Sequence, residues 1–153
     1  MAEHRPLSVK LIAAYFWLRA LALVFALALA YVKPETAPAA NDLIANLVPI
    51  IRRVYAHDYA IFLAPVFALL EMALGFGIWS LQKWARTLAV WVLVWDVLST
   101  VDMLSTTIPG RPFLDGEPTF AVAPYVGVEL MASMGILFYL FDPRIKRAFG
   151  VHD

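Results

Sequence analysis

The chain has 153 residues, of which 62% are hydrophobic and 16% are charged, and its mean hydropathy is +0.74. Soluble domains average about 45–50% apolar and about 25% charged residues, so this composition predicts a membrane protein and argues against soluble enzymes. Twelve Lys and Arg balance twelve Asp and Glu, and a net charge of zero gives no indication of a nucleic-acid partner. The absence of cysteine excludes disulfides, thiol catalysis and iron–sulfur clusters.

Four apolar segments are long enough to cross the hydrocarbon core as helices, which takes roughly 20 residues each. They cover residues 8–32, 59–81, 87–108 and 119–141. Because they leave no room for a soluble domain, we predict one all-α membrane domain over residues 1–153, an integral four-helix bundle. The first segment has the basic flank of a signal peptide, but its length and the central Arg19 favour a retained helix.

The distribution of Lys and Arg in the short loops predicts the orientation of these segments. One side of the predicted bundle carries Arg5, Lys10, Lys83, Arg86, Arg144, Lys146 and Arg147, and the other carries Lys33, Arg52, Arg53 and Arg111. Basic flanks are held in the cytoplasm during insertion. We therefore predict that both termini are cytoplasmic and that the protein lies in a bacterial inner membrane.

Two shorter helices are predicted outside the spans. Residues 41–55 place apolar side chains on one helical face and polar ones on the other, which indicates an interfacial helix between helices one and two. After helix four, Asp142 and Pro143 form an N-cap and first-turn pair that predicts a short basic helix over residues 143–149. A frayed, solvated tail is the alternative for this last segment.

One ionisable residue lies near the middle of each predicted helix, namely Arg19, Glu71, Asp96 and Glu129. A charge at the centre of a bilayer costs a few kcal/mol or more, so these side chains are expected to face one another rather than lipid. On helix two, Glu71 shares its face with Ala60, Ala64, Ala68 and Gly75. Such small residues allow neighbouring helices to approach closely.

Helix three carries a polar stripe on its outer half, formed by Asp96, Ser99, Thr100, Asp102, Thr106 and Thr107. Polar residues at this depth predict a water-filled cavity that opens outward, with Asp102 nearer its mouth. Trp91 and Trp95 flank the inner part of the segment and are expected to close the bottom of that cavity.

The predicted cluster is unbalanced, because Arg19 neutralises one carboxylate and leaves an excess of two negative charges if all three ionise. Like charges in a medium of low dielectric disfavour one another, so at least one carboxyl is expected to be protonated or matched by a cation. The predicted site comprises Tyr15, Arg19, Glu71, Asp96, Ser99, Asp102, Tyr125, Glu129 and Ser133, in which Tyr15, Tyr125 and Ser133 supply hydrogen bonds. The alternative is purely structural: Arg19 pairs with Glu71 or Glu129 and fixes the helix register.

Several other kinds of site are missing from the sequence. The three histidines, His4, His57 and His152, lie outside the spans, so no span offers an imidazole to haem or to a catalytic zinc. We find no phosphate-binding glycine loop, no nucleophile elbow and no paired metal-ligand motif. The sequence therefore predicts no cofactor, no metal-ligand motif and no catalytic residue.

Two stretches resemble small four-helix bacterial membrane proteins of unknown function. The first runs from Gly75 to Arg86 and contains a glycine-rich helix end, Trp79, a basic turn and then Trp84-Ala85-Arg86. The second is the tail from Tyr139 to Phe149. This resemblance covers the second half of the chain and implies a topology, not a chemistry.

A second resemblance is to the four-helix sterol isomerase and sigma-2 receptor superfamily. It rests on Glu71 in helix two, an elaborated first outer loop and Ala123-Pro124-Tyr125 in helix four. Arg19 has no counterpart in that pattern. This resemblance implies an amphipathic amine or a lipid as ligand.

Three functional hypotheses follow. The first is a binding or transport module whose midplane carboxylates hold a proton, a cation or a cationic amphipathic ligand. The second is an accessory or scaffolding subunit that contacts other membrane subunits or a second copy of itself, with structural buried charges. The third is a lipid-modifying membrane enzyme in which a carboxyl acts as general acid or base.

Overall fold

A computed structural model describes residues 6–38, 40, 44, 60–106 and 123–150. These residues are almost entirely helical and contain no strand, so the all-α prediction is confirmed for the described part of the chain. In chain order the helices are α1 (Leu7–Val32), a 3₁₀ turn (Pro34–Thr36), α2 (Ala60–Trp79), α3 (Lys83–Thr106), α4 (Ala123–Phe141) and α5 (Pro143–Ala148). The predicted interfacial helix at 41–55 lies outside the described residues, apart from Ile44.

Helix α3 begins at Lys83 rather than at residue 87, because hydropathy marks only the apolar part of a helix that extends further at its polar end. A tight turn precedes it. The Gln82 amide donates to the Gly77 carbonyl at 2.8 Å and the Leu81 amide donates to the Ile78 carbonyl at 3.0 Å. This is the Schellman arrangement, and Leu81 takes the left-handed position, with φ of 58°, that glycine usually occupies. The turn brings α3 back alongside α2.

Among the described residues, three helical segments are long and apolar enough to cross a membrane: Leu7–Val32, Phe62–Trp79 and Lys83–Val101. A shorter apolar segment covers Gly127–Phe141 in α4. Large apolar side chains are exposed at seven-residue intervals, at Leu11, Leu18 and Phe25 in α1, Phe62, Leu69 and Phe76 in α2, Trp91 and Leu98 in α3, and Met131 and Phe138 in α4. Stripes of this size are unfavourable in water, and they suggest a membrane protein.

Two apolar clusters fill the space between the helices. The larger one joins the start of α1 to the end of α2, the start of α3, the end of α4 and α5, and its buried members include Phe16, Ile78 and Leu93. The smaller one joins the second half of α1 to the first half of α2 through Leu23, Ala64, Ala68 and their neighbours. Because the larger cluster contains the start of α1, the α2–α3 turn and α5, these elements lie together, and we call this the basic end.

Helix α5 is fixed to the basic end by its cap and by one buried arginine. The Asp142 side chain accepts the Arg144 amide at 2.6 Å, and Pro143 occupies the first turn. That cap removes the amide that would otherwise bond to the Leu140 carbonyl in a continuous helix. Arg86 of α3 replaces it, because its Nε and Nη2 donate to the Leu140 carbonyl at 3.0 Å and 2.9 Å.

Candidate functional site

Three charged side chains from three helices meet between the two apolar clusters. Arg19 follows Phe16 by one turn of α1, and Glu71 precedes Leu74 in α2. Asp96 follows Leu93 in α3. The exposed fractions are 6% for Arg19, 1% for Glu71 and 3% for Asp96. A charged layer therefore crosses the interior, and the small residues Ala64, Ala68 and Gly75 of α2 are buried on the same side as Glu71.

Arg19 contacts both carboxylates at once. Its Nη1 donates to Asp96 Oδ2 at 2.6 Å, and its Nη2 lies 3.3 Å from Glu71 Oε1. Nη1 also donates to the Tyr15 hydroxyl at 3.2 Å, and the guanidinium carbon lies 5.5 Å from the centre of the Tyr15 ring. Charge-assisted hydrogen bonds of this kind are roughly twice as strong as neutral ones. The guanidinium thus joins α1 to α2 and to α3.

Helix α4 reaches the cluster through Tyr15 and Ser133. The Tyr15 hydroxyl and Ser133 Oγ are 3.2 Å apart, and Ser133 is buried. Glu129 lies one turn before Ser133 and is half-buried. It is close enough to interact electrostatically with Arg19, Asp96 and Glu71, but it makes no hydrogen bond or ion pair with the described residues. Of the two alternatives, Glu71 or Glu129, Arg19 pairs with Glu71.

The cluster leaves polar atoms unmatched. One guanidinium faces Glu71 and Asp96, and Glu129 adds a third carboxyl nearby. Within the described part of the chain, Glu71 Oε2 and Ser99 Oγ are buried without a hydrogen-bond partner. A buried polar atom without a partner costs about 1–3 kcal/mol, and more when it carries charge. The unmatched atoms are therefore candidates for contact with a group from outside the chain.

A cavity of about 260 Å³ opens beside these side chains. Its lining consists of Arg19, Phe67, Leu70, Glu71, Trp91, Val92, Trp95 and Asp96. Trp91 is 69% exposed and Trp95 is 42% exposed, so the cavity opens sideways between α2 and α3. The expectation that the two tryptophans close the bottom of an outward cavity stays a prediction, because the outer part of that cavity lies outside the described residues.

The remaining predicted site residues divide into two groups. Ser99 and Thr100 are buried one turn beyond Asp96, as an inward polar stripe requires. The side chains of Asp102 and Tyr125 lie outside the described residues, as does Thr107. The outward water-filled cavity that their stripe predicts therefore stays a prediction.

The structure adds residues that sequence reasoning did not assign to the site. Phe67, Leu70 and Val92 line the cavity, but in the sequence they are ordinary apolar residues of a span, and nothing there distinguishes them. Arg86, which the sequence assigns only to topology, is buried against the Leu140 carbonyl. Its signal was available, because Asp142-Pro143 ends a helix and leaves carbonyls without donors.

The chemistry of the site favours positive charge. Carboxylate oxygens accept hydrogen bonds and bind cations, and tryptophan faces attract them. Among the described residues there is no group of three or more His, Asp or Glu arranged to hold a metal ion. Comparisons with protein-family models, curated proteins and solved structures found no match. The function must therefore be argued from the site itself.

Proposed function

We propose that this chain is a small polytopic protein of a bacterial inner membrane, built as a four-helix bundle with both termini in the cytoplasm. The three span-length helices and the shorter apolar segment of α4 support the number of crossings. The concentration of Lys and Arg at the basic end supports the orientation. This arrangement places Arg19, Glu71, Asp96 and Glu129 near the middle of the hydrocarbon layer.

Its function, in this proposal, is to bind a cation at the buried acidic site: a proton, a metal ion or the charged group of an amphipathic molecule. One observation carries it. Glu71 is 1% exposed, its Oε1 is 3.3 Å from Arg19, and its Oε2 has no hydrogen-bond partner among the described residues although it borders a cavity. A purely structural ion pair would be expected to satisfy both oxygens.

The cavity supports a cation over an anion for two reasons. Two carboxylates and one guanidinium line it, and Glu129 adds negative charge nearby. Trp91 and Trp95 present aromatic rings at the opening, and such rings attract cations by roughly 0.5–2 kcal/mol. The resemblance to the sterol isomerase and sigma-2 receptor superfamily through Glu71 is in keeping with an amphipathic ligand.

Thermal unfolding in phosphatidylcholine nanodiscs tests this proposal. The probes are sodium chloride, dimethyldodecylamine and, as uncharged control, dodecanol. A cation in 100-fold excess over its Kd is expected to raise the Tm by about 5–10 °C, whereas dodecanol leaves it unchanged. If the bound cation is a proton, the Tm difference between the wild type and Glu71→Gln changes with pH instead.

Two variants identify the site. Glu71→Gln keeps the size and one acceptor oxygen but removes the charge, so the Tm response to cation or pH is expected to disappear. Glu35→Gln changes an exposed acid in the 3₁₀ turn and is expected to respond as the wild type does. The proposal is wrong if no probe and no pH change distinguishes the wild type from Glu71→Gln.

An accessory or scaffolding subunit is the second candidate, and one observation favours it. Arg19 already contacts Asp96 and Glu71, so most of the cluster is accounted for by internal pairing. In that case the charges only fix helix packing, and the functional surfaces face other membrane subunits. Such a protein co-purifies with other chains from native membranes, and its Tm does not respond to the cations named above.

A further inference from the structure

A second cavity, which contains none of the charged side chains of the first, lies between the first half of α1 and the second half of α4. Its volume is about 580 Å³, which falls in the range of roughly 300–1,000 Å³ that is usual for small-molecule sites. It is lined by Leu7, Ser8, Leu11, Ile12, Met131, Ala132, Gly135, Ile136 and Tyr139. We call this the α1–α4 groove.

The described part of the chain does not fill this groove. Leu7, Leu11 and Met131 stand on its walls with more than half of each side chain exposed. A Cβ atom added to Gly135 would have no atom within 4 Å, so the floor at α4 is open space. Since the walls are apolar except at Ser8 and Tyr139, the groove is suited to a hydrocarbon chain.

The charged residues near the groove indicate which headgroup a bound hydrocarbon chain carries. The groove begins at the basic end, because Leu7 starts α1 and Tyr139 precedes α5 by one turn. The ionisable residues described at this end are Lys10, Lys83, Arg86, Arg144, Lys146 and Arg147 against Asp142 alone. The Asp142 carboxylate already accepts the Arg144 amide. The end of the molecule at which the groove begins therefore carries an excess of positive charge.

We infer that the α1–α4 groove binds an anionic phospholipid, with an acyl chain between the two helices and the phosphate at the basic end. The groove opens on the outer surface of the helices, so a lipid in the adjoining leaflet reaches it directly from the bilayer. Phosphate oxygens accept charge-assisted hydrogen bonds from Arg and Lys, and basic residues near a membrane surface attract anionic lipid. Lys10 and Arg144 are exposed at this end and are the first candidates to contact the phosphate.

Native mass spectrometry of the purified full chain, titrated with palmitoyl-oleoyl-phosphatidylglycerol or the matching phosphatidylcholine, tests this inference. We expect phosphatidylglycerol to be retained at least about tenfold more strongly, because two basic residues act on it. The variant Gly135→Leu fills the groove and is expected to abolish retention. Gly127→Leu is the matched control, since its position is equally open but lies outside the groove.

The charge requirement is tested separately with the double variant Lys10→Gln and Arg144→Gln, for which we expect the preference for phosphatidylglycerol to fall to about that for phosphatidylcholine. Lys33→Gln, at the other end of α1, is its control. If Gly135→Leu does not fold, Ala132→Leu fills the same groove and replaces it in the comparison.

Three results would overturn the inference. Equal retention of the two lipids shows that the headgroup charge does not matter. Undiminished retention by Gly135→Leu shows that the lipid does not bind in the α1–α4 groove. A wild-type dimer that becomes monomeric in Gly135→Leu shows that a second copy of the chain occupies the groove instead.

Discussion

Arg19 connects α1 directly to α2 and α3, and reaches α4 through Tyr15. Its two terminal nitrogens reach Asp96 and Glu71, and the Tyr15 hydroxyl relays the network to Ser133. A planar guanidinium presents several donors in a fixed fork, whereas a lysine ammonium is a single point of charge. An arginine at position 19 can therefore bind carboxylates of two other helices at once, which a lysine ammonium is less suited to do.

Arg19→Leu is expected to destabilise the protein strongly. The substitution leaves Glu71 and Asp96 buried without their counter-charge, and breaking one side of a buried ion pair costs about 3–5 kcal/mol. The thermal unfolding midpoint in nanodiscs measures the loss. Lys10→Leu, at an exposed position of the same helix, is the control and is expected to change stability by less than about 0.5 kcal/mol.

A double variant separates the structural role of the pair from its binding role. Replacing Arg19 by Leu together with Asp96 by Asn removes both charges, so part of the lost stability is expected to return. If the Tm of Arg19→Leu is no lower than that of Lys10→Leu, the ion pairs of Arg19 do not stabilise the packing of the helices.

The sequence predicts the level of each charged residue along its helix, but it does not predict which carboxylates contact Arg19. Counting from the ends of apolar segments places Arg19, Glu71 and Asp96 at one level, and the structure buries all three together. Which carboxylates touch the guanidinium depends on the rotation of each helix about its own axis, and packing against neighbours sets that rotation. For this reason the sequence places three carboxyls near Arg19 but does not show that Glu71 and Asp96 are the two that contact it.

At the scale of elements, the α2–α3 pair is held by close approach of two helices. A Cβ atom added to Gly77 would lie 2.5 Å from the Ala85 Cβ and 2.9 Å from an atom of the Trp84 ring. The Ala85 atom belongs to a short side chain fixed to the backbone, so it has no room to move aside. The glycine is required by contact and not by backbone conformation.

Gly77→Ala is therefore expected to lower the Tm, with a cost of about 1–3 kcal/mol from overpacking. Gly135→Ala is the matched control, because nothing lies within 4 Å of its added atom. Alanine is the better helix former by roughly 0.5–1 kcal/mol, so the control is expected to gain stability. Thermal unfolding of both variants should show opposite signs, and a change of the same sign and size in both would refute the close-contact argument.

The sequence predicts the existence of elements better than their ends. Hydropathy located the apolar portions of α1 to α4, but it placed the start of α3 too late, since polar Lys83 to Arg86 belong to the helix without adding hydropathy. The buried role of Arg86 was missed for a related reason. A charged residue at a helix start is usually solvated. Asp142-Pro143 predicts carbonyls without donors, but the tertiary structure is needed to show that Arg86 binds the one of Leu140.

At the scale of the whole molecule, a charged layer separates two apolar clusters, and cations concentrate at the basic end. The net charge of zero hides this polarity, because it sums positions that differ in depth. The proposed orientation puts the basic end in the cytoplasm, and the labelling of cysteines introduced at the two ends of the helices tests it. The chain contains no cysteine, so any introduced thiol is labelled without background.

Lys83→Cys, at the start of α3, is expected to resist a membrane-impermeant maleimide applied to the periplasmic side and to react after the membrane is opened. Lys33→Cys, after α1, is expected to react under both conditions. Labelling is read from the mass of the purified protein. Reaction of the cysteine at position 83 without opening the membrane would reverse the proposed orientation.

The order in which Arg19 and its partners are synthesised has a consequence for assembly. Asp96 follows Arg19 by 77 residues, which a ribosome adding about 5–20 residues per second takes roughly 4–15 seconds to make. If α1 spans the membrane as proposed, it carries during that interval an unpaired charge that costs a few kcal/mol or more near the bilayer centre. Glu71, in the next helix, emerges first and is the earliest available counter-charge. The nascent α1 is thus expected to wait beside the insertion machinery until α2 joins it, so that these helices enter the bilayer as a group and not one by one.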